Sequence, residues 1–224
     1  MTALPTTPAE YWDKYKPHRG EGEQPPPAVE HFCWTPYPGH GPGAEVLGTP
    51  RTALELGPGD GVELVYLARH HGVRGTGVDF SAVQAERAGR WWHEEPGVSF
   101  EHAEVCAFLS GRQTSYEAVY SMWGAVWFTD PERLVPLVFE RLKPGGIFAF
   151  SHAAPGEDAY GPQPMGGRWL EDRDDLVVTR WQYPPRAWAD MLQRHGFVNL
   201  DAQVVAAPEP AGRATLLIRG ERPA

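Results

Sequence analysis

Thr52-Ala53-Leu54-Glu55-Leu56-Gly57-Pro58-Gly59-Asp60-Gly61 is the stretch that decides the fold. A short apolar run over 52–56 ends in a cluster of glycines. Val62, Val65, Tyr66 and Ala68 then recur at helical spacing until a stop at Gly72. This pattern predicts a buried strand, a tight turn and a helix over 61–70. The glycines let the chain turn sharply and let a ligand approach the backbone. The helix that follows aims its free N–H groups and positive dipole end at the turn. A second strand is expected over 73–79, and Asp79 closes it 22 positions beyond Gly57. At that distance a carboxylate can accept from ribose hydroxyls.

The turn departs from the dinucleotide fingerprint GxGxxG, because its third glycine, Gly61, comes one position early and Val62 stands where that pattern needs glycine. Glu55 precedes the first glycine by two residues. A carboxylate facing the ligand repels a pyrophosphate and attracts an ammonium. The expected ligand therefore carries a ribose, a positive amine and a carboxylate, and S-adenosylmethionine has all three.

Outward from this core, Ser81 with Gln84 three residues on reads as a capping box opening a helix. Strands are expected over 98–102 and 117–122. Asp130-Pro131 is a helix start, with a capping carboxylate and proline in the first turn. That helix should end at Lys143-Pro144-Gly145-Gly146, before a fifth strand over 147–152. A Gly/Pro-rich connection over 153–183, with short structure near 175–182, leads to a helix over 185–195. Two late strands, 198–205 and 214–219, flank a Pro-rich turn and should be antiparallel. Strands alternating with helices give an α/β, Rossmann-like, doubly wound sheet, mostly parallel with an antiparallel C-terminal hairpin strand. Residues 1–50 hold Tyr11, Trp12, Tyr15, Phe32, Trp34 and Tyr37 among proline-broken loops, with short helices expected over 8–15 and 28–32. Too sparse for a private core, they read as an aromatic arm or lid on a domain of residues 51–224, with 153–183 as a substrate-side insertion.

Composition narrows the function. The 224 residues are 42% hydrophobic and 22% charged, and the net charge is −9, which disfavours a nucleic-acid backbone as partner. The longest apolar runs are too short to cross a bilayer, and the first residues lack a signal-peptide pattern. A cytoplasmic protein without a membrane or nucleic-acid partner is expected, as monomer or homodimer. The two cysteines, Cys33 and Cys106, form no CxxC pair, so neither a disulfide framework nor a structural metal site is expected.

The ordered motifs resemble the class I S-adenosylmethionine-dependent methyltransferases, in particular bacterial enzymes that tailor small natural products. Leu54 to Gly61 is similar to their first motif and Val78-Asp79-Phe80-Ser81 to their second. Ala103-Glu104 resembles the third, which usually has aspartate. Tyr116 to Trp123 resembles the fourth strand with its cofactor-facing end, and Leu142 to Gly146 the turn before strand five. The resemblance covers about residues 50–152. It implies S-adenosyl-L-methionine as cofactor and S-adenosyl-L-homocysteine as product. Asp79 would bind ribose, Phe80 would pack on adenine, and Glu104 would approach the adenine amino group or cap the next helix. Glu55, Gly57, Gly59, Gly61, Ser121 and Trp123 would contact the cofactor, Glu55 at its amino-acid end. Tyr11 and Tyr15, on one helix face, would close over it.

Methyl transfer from a sulfonium is an in-line displacement in which positioning supplies much of the catalysis, and a base matters only when the acceptor must lose a proton. His152, at the end of strand five, is the candidate base. Trp34, Trp127 and Trp169 are candidate acceptor contacts, by stacking or cation–π attraction. The expected reaction is methylation at O, N or C of a small, aromatic acceptor. Two alternatives stand beside it, a cofactor-binding scaffold without turnover and a nicotinamide-dependent oxidoreductase.

Overall fold

In the computed structural model of the chain, residues 8–14, 30–166 and 176–224 are described. Period-two alternation sorts the strands' apolar side chains onto two faces. On β1 (Thr52–Leu56), Leu54 and Leu56 point one way and Ala53 the other. On β4 (Tyr116–Met122), Val119 opposes Ala118 and Tyr120. On β5 (Leu142–Ala153), Phe148 and Phe150 oppose Ile147 and Ala149. Both faces are covered, as a mostly parallel sheet requires. The first core packs under α4 (Val105–Gly111), α6 (Pro131–Arg141) and α7 (Pro185–Arg194). The second lies under α2 (Val62–His71), the 3-10 turn Ala44–Leu47 and the arm residues Phe32 and Trp34.

Seven strands form the main sheet in the order β3-β2-β1-β4-β5-β9-β8, where β2 is Arg74–Asp79, β3 Val98–His102, β8 Val198–Val205 and β9 Thr215–Glu221. The pairs from β3 through β5 are parallel, and β9 runs antiparallel to both β5 and β8. The strand order reverses between β1 and β4, which opens a crevice beyond their carboxyl ends. α3 (Ala82–Trp91) starts as the capping pattern requires, with Ser81 Oγ accepting from Gln84 N at 3.1 Å. The return half of the box is missing. Asp79 Oδ1 takes the Ser81 N–H at 2.9 Å, and Gln84 Nε2 donates instead to Trp12 O at 2.9 Å.

The structure corrects several expectations. Residues 30–32 are bends and irregular chain rather than helix. Phe32 and Trp34 are both buried, and only extended chain points side chains two apart into the same core. β5 begins at Leu142, which pairs with Tyr116. The ladder then slips to Ile147 opposite Ala118, so Lys143 to Gly146 form an irregularity within the strand rather than a turn before it. Gly145 has φ of 74°, and two backbone bonds, Gly145 N to Arg222 O and Arg222 N to Gly146 O, hold the bulge to the residue after β9. The connection after β5 contains a hairpin of its own, β6 (Gly161–Gly166) against β7 (Val177–Gln182). No helix among the described residues is long and apolar enough to cross a membrane.

Candidate active site

A cavity of about 1090 Å³ occupies the crevice at the strand-order reversal. Its floor is the turn after β1. Gly57 has φ of 78°, and a Cβ there would lie 2.5 Å from Ala125 N, so glycine is needed for the turn to pack against α5 (Ala125–Phe128). Gly59 also lies in the left-handed region, at 57°, yet a Cβ there would meet no atom within 4 Å. Its backbone faces open cavity. Gly61 has a different task. It precedes α2 with φ of 75°, and a Cβ would strike the Phe100 ring at 2.4 Å, so it serves helix–strand packing outside the cavity wall.

Asp79 stands at the end of β2, 8% exposed. Its Oδ1 accepts from Ser81 N at 2.9 Å and its Oδ2 from Gly59 N at 3.2 Å. These bonds fix the carboxylate with a further lone pair on each oxygen. Burial pushes its pKa up, and the two backbone N–H groups push it back down. Glu55, 2% exposed on β1, accepts from the Tyr120 hydroxyl at 3.0 Å. Burial, reinforced by Glu63, raises its pKa well above the usual carboxylate range. A buried acid pushed toward its neutral form is stabilised in its charged form by a cation placed beside it.

Phe80, Glu104, Trp123 and Trp127 line the same cavity. The Glu104 carboxylate caps α4, accepting from Cys106 N at 3.1 Å and Ala107 N at 2.8 Å. Trp123 has a φ of 53°, uncommon for a side-chain-bearing residue. Its N–H donates to Ser151 O at 2.8 Å and its indole to Trp34 O at 3.1 Å, which together hold the strained turn.

Other residues lie elsewhere than expected. Ser121 is 1% exposed. Its hydroxyl donates to Leu56 O at 2.7 Å and accepts from Val126 N at 3.3 Å, so it ties the turns after β1 and β4 together behind the cavity wall. Trp34 is fully buried in the core beneath α2, its indole bonded to Gly43 O at 2.9 Å. It anchors the arm and does not reach the cavity. Tyr11, on α1 (Pro8–Asp13), is also fully buried, against Leu176 and Val178. Its neighbour Trp12 is the residue that faces the cavity. His152 corrects the expectation of a base facing the acceptor. It is 0% exposed and outside the cavity wall, stacked beneath Trp127, with Nδ1 2.8 Å from Ala153 O and Nε2 buried without a partner. Burial lowers its pKa to about 4, so it is neutral near pH 7. Tyr15 and Trp169 lie outside the described residues.

Sequence reasoning missed much of the far wall. Arg180 and Trp181 on β7, Met165 on β6 and Arg213 before β9 all line the cavity. The aromatic content of residues 153–183 was a signal for an acceptor-side insertion, but no motif singled out an arginine there. α1 closes the top. Asp13 accepts from Ser81 Oγ at 2.6 Å, Tyr11 donates to Gly166 O at 3.3 Å, and Trp12 packs edge-on to Phe128 at 4.5 Å. Among the described residues no group of three or more His, Cys, Asp or Glu is placed to hold a metal.

The strand order and the position of this cavity define the architecture of the class I S-adenosylmethionine-dependent methyltransferases. Residues 42–202 match the family model described as a methyltransferase domain, and the chain belongs to that family. Over 99 residues it is 37% identical to the uncharacterized protein YjhP of Escherichia coli K12, a match covering 42% of this chain and 38% of that protein. Over 96 residues it is 31% identical to trans-aconitate 2-methyltransferase of Paracidovorax citrulli, covering 43% of this chain and 35% of the relative. The matches thus span little more than a third of these relatives' length. Among solved structures, the fold is similar to 1,6-didemethyltoxoflavin-N1-methyltransferase of Burkholderia thailandensis, with a TM-score of 0.57 and 21% identity over 80% of this chain and 73% of that one. A putative S-adenosylmethionine-dependent methyltransferase of Listeria monocytogenes gives a TM-score of 0.60 and 21% identity over 78% and 92%.

Proposed function

We propose that the protein transfers a methyl group from S-adenosylmethionine to a small, planar acceptor of natural-product type, in the cytoplasm and with catalysis mainly by positioning. The observation that carries this reading is the pairing of two buried carboxylates, Glu55 and Asp79, across an open glycine turn at the strand-order reversal. The donor set fits the cofactor. Glu55 suits the ammonium, Asp79 the ribose diol, the bare Gly59 backbone the close approach, and Phe80 a face of adenine, with Glu104 at the rim. When bound there, S-adenosylmethionine supplies an activated methyl group on a sulfonium leaving group.

The chain's own residues then hold an acceptor nucleophile in line with that methyl carbon. Trp12, Trp123, Trp127 and Phe128 offer aromatic faces for the acceptor and for a positive sulfonium. His152 lies behind Trp127, so we assign it support of that ring, and the acceptor proton, where there is one, leaves to solvent. The trans-aconitate and didemethyltoxoflavin methyltransferases, by their names, act on small molecules, which supports a small-molecule acceptor here. Residues 1–50 act in this reading as a lid and 153–183 as the acceptor-side insertion.

Incubating the purified protein with methyl-labelled S-adenosylmethionine and a panel of small acceptors should give a labelled product. Calorimetry should detect S-adenosylhomocysteine binding. Stabilisation by NAD with no response to S-adenosylhomocysteine would overturn the reading.

A further inference from the structure

Two arginines that line the cavity have no acidic partner among the described residues. Arg180, on β7, and Arg213, just before β9, both line it. Among the described residues, neither side chain makes an ion pair or a hydrogen bond. The Arg180 Nε is buried with no partner, and its guanidinium carbon lies 5.6 Å from the centre of the Trp127 ring. Several other arginines are matched with carboxylates, among them Arg69 with Glu95, Arg194 with Glu132 and Arg219 with Glu221. Arg133 lines the cavity as well, but between the two the buried Nε without a partner belongs to Arg180.

Two neighbouring arginines left unpaired repel each other, and a buried N–H without an acceptor costs free energy. Burial and the adjacent Arg213 both pull the Arg180 guanidinium below its ordinary pKa. An anion placed between them removes both costs, and the forked geometry of arginine matches a carboxylate with two parallel hydrogen bonds. The pair belongs to the β6–β7 hairpin and the approach to β9, elements other than the strand ends that carry Glu55 and Asp79. Trp127 and Trp181 also line the cavity.

Resting on the methyltransferase reading above, we propose that the acceptor is a planar carboxylic acid, aryl or alkenyl. Its carboxylate is held by Arg180 and Arg213, and its unsaturated body lies against Trp127 and Trp181.

The test uses the whole protein saturated with S-adenosylhomocysteine. The probes are benzoate, cinnamate, indole-3-carboxylate and aconitate, each beside its primary amide, with affinity read by calorimetry or ligand-observed NMR. At least one carboxylate should bind about tenfold or more tightly than its amide. Arg180→Gln should erase that preference, Arg180→Lys should keep part of it, and the exposed-site variant Arg213→Gln should reduce it. The affinity for S-adenosylhomocysteine should change by less than about twofold in each variant. Absence of any acid-over-amide preference, with S-adenosylhomocysteine still bound, overturns the anion site and leaves methyl transfer standing. A large loss of S-adenosylhomocysteine affinity in well-folded Arg180→Gln also overturns it, because the guanidinium would then serve the cofactor's own carboxylate. Failure of the wild-type protein to bind S-adenosylhomocysteine removes the underlying reading itself.

Discussion

The imidazole of His152 lies parallel to the indole of Trp127, with ring centres 5.2 Å apart and planes 5° apart. The histidine is thus a backing plate for a cavity-lining ring. His152→Phe keeps a flat ring there and removes an unsatisfied nitrogen. It should retain kcat within a few-fold and leave the protein at least as stable at pH 7. His152→Ala leaves a hole under Trp127 and should cost roughly 2–4 kcal/mol in denaturant titration. A hundredfold loss of kcat in well-folded His152→Phe would show that the imidazole takes part in the chemistry.

The same histidine predicts an acid-side instability. Its folded pKa of about 4 lies below the unfolded value of about 6.5, so the unfolded chain binds more protons between those limits. Stability therefore falls as pH drops through that window, by about 2 kcal/mol from this residue at about pH 5. Denaturation of wild type and His152→Phe at about pH 7 and about pH 5 should show the difference shrinking in the variant.

Glu55 gives the opposite sign. Burial lifts its folded pKa above the unfolded value, so its contribution to the empty protein is full at low pH and is lost as pH rises through the folded pKa. Glu55→Gln should raise the melting temperature of the ligand-free protein at about pH 8 while weakening S-adenosylhomocysteine about tenfold or more. Wild-type binding should release protons, which calorimetry in buffers of different ionisation enthalpy measures. Equal heats in all buffers, across about pH 6 to about pH 8, would separate Glu55 from the ammonium.

Gly59 and Gly57 make a matched pair of probes. Gly59→Ala adds a methyl group into open cavity at φ of 57°, at a folding cost of about 1–2 kcal/mol. The protein should stay folded and lose about tenfold or more in S-adenosylhomocysteine affinity by calorimetry. Gly57→Ala collides with the Ala125 backbone and should lower the melting temperature further. Wild-type affinity in Gly59→Ala would mean that the turn does not touch the ligand.

Asp13→Ala tests the roof. It removes the 2.6 Å bond from the buried Ser81 Oγ. Dissociation of S-adenosylhomocysteine, followed by stopped flow, should become several-fold faster with little change in melting temperature.

What was legible in the sequence is what local chemistry dictates. The Ser81 and Asp130 caps, the β1 turn and the period-two strands each carry their signal within a few residues. The sides of the crevice were harder to read because they depend on tertiary contacts. Trp34 and Trp127 look alike as residues, but one is pinned under α2 by Gly43 and the other faces the cavity. Tyr11 and Trp12 are adjacent, and only the docking angle of α1 decides which points inward. Arg180 belongs to a hairpin whose pairing brings it over Trp127, a relationship that nothing near residue 180 announces.

Three consecutive residues of α1 tie it to two elements, Trp12 and Asp13 to the start of α3 and Tyr11 to the end of β6. One short helix is therefore tied both to the cofactor-side helix α3 and to the hairpin on the acceptor side of the proposed site. On the proposed function, any displacement of α1 that releases the spent nucleoside would also open the acceptor side. On the proposed reaction, a molecule needing two methyl groups would be let go and recaptured between rounds, and partially methylated species should accumulate in solution before the final product.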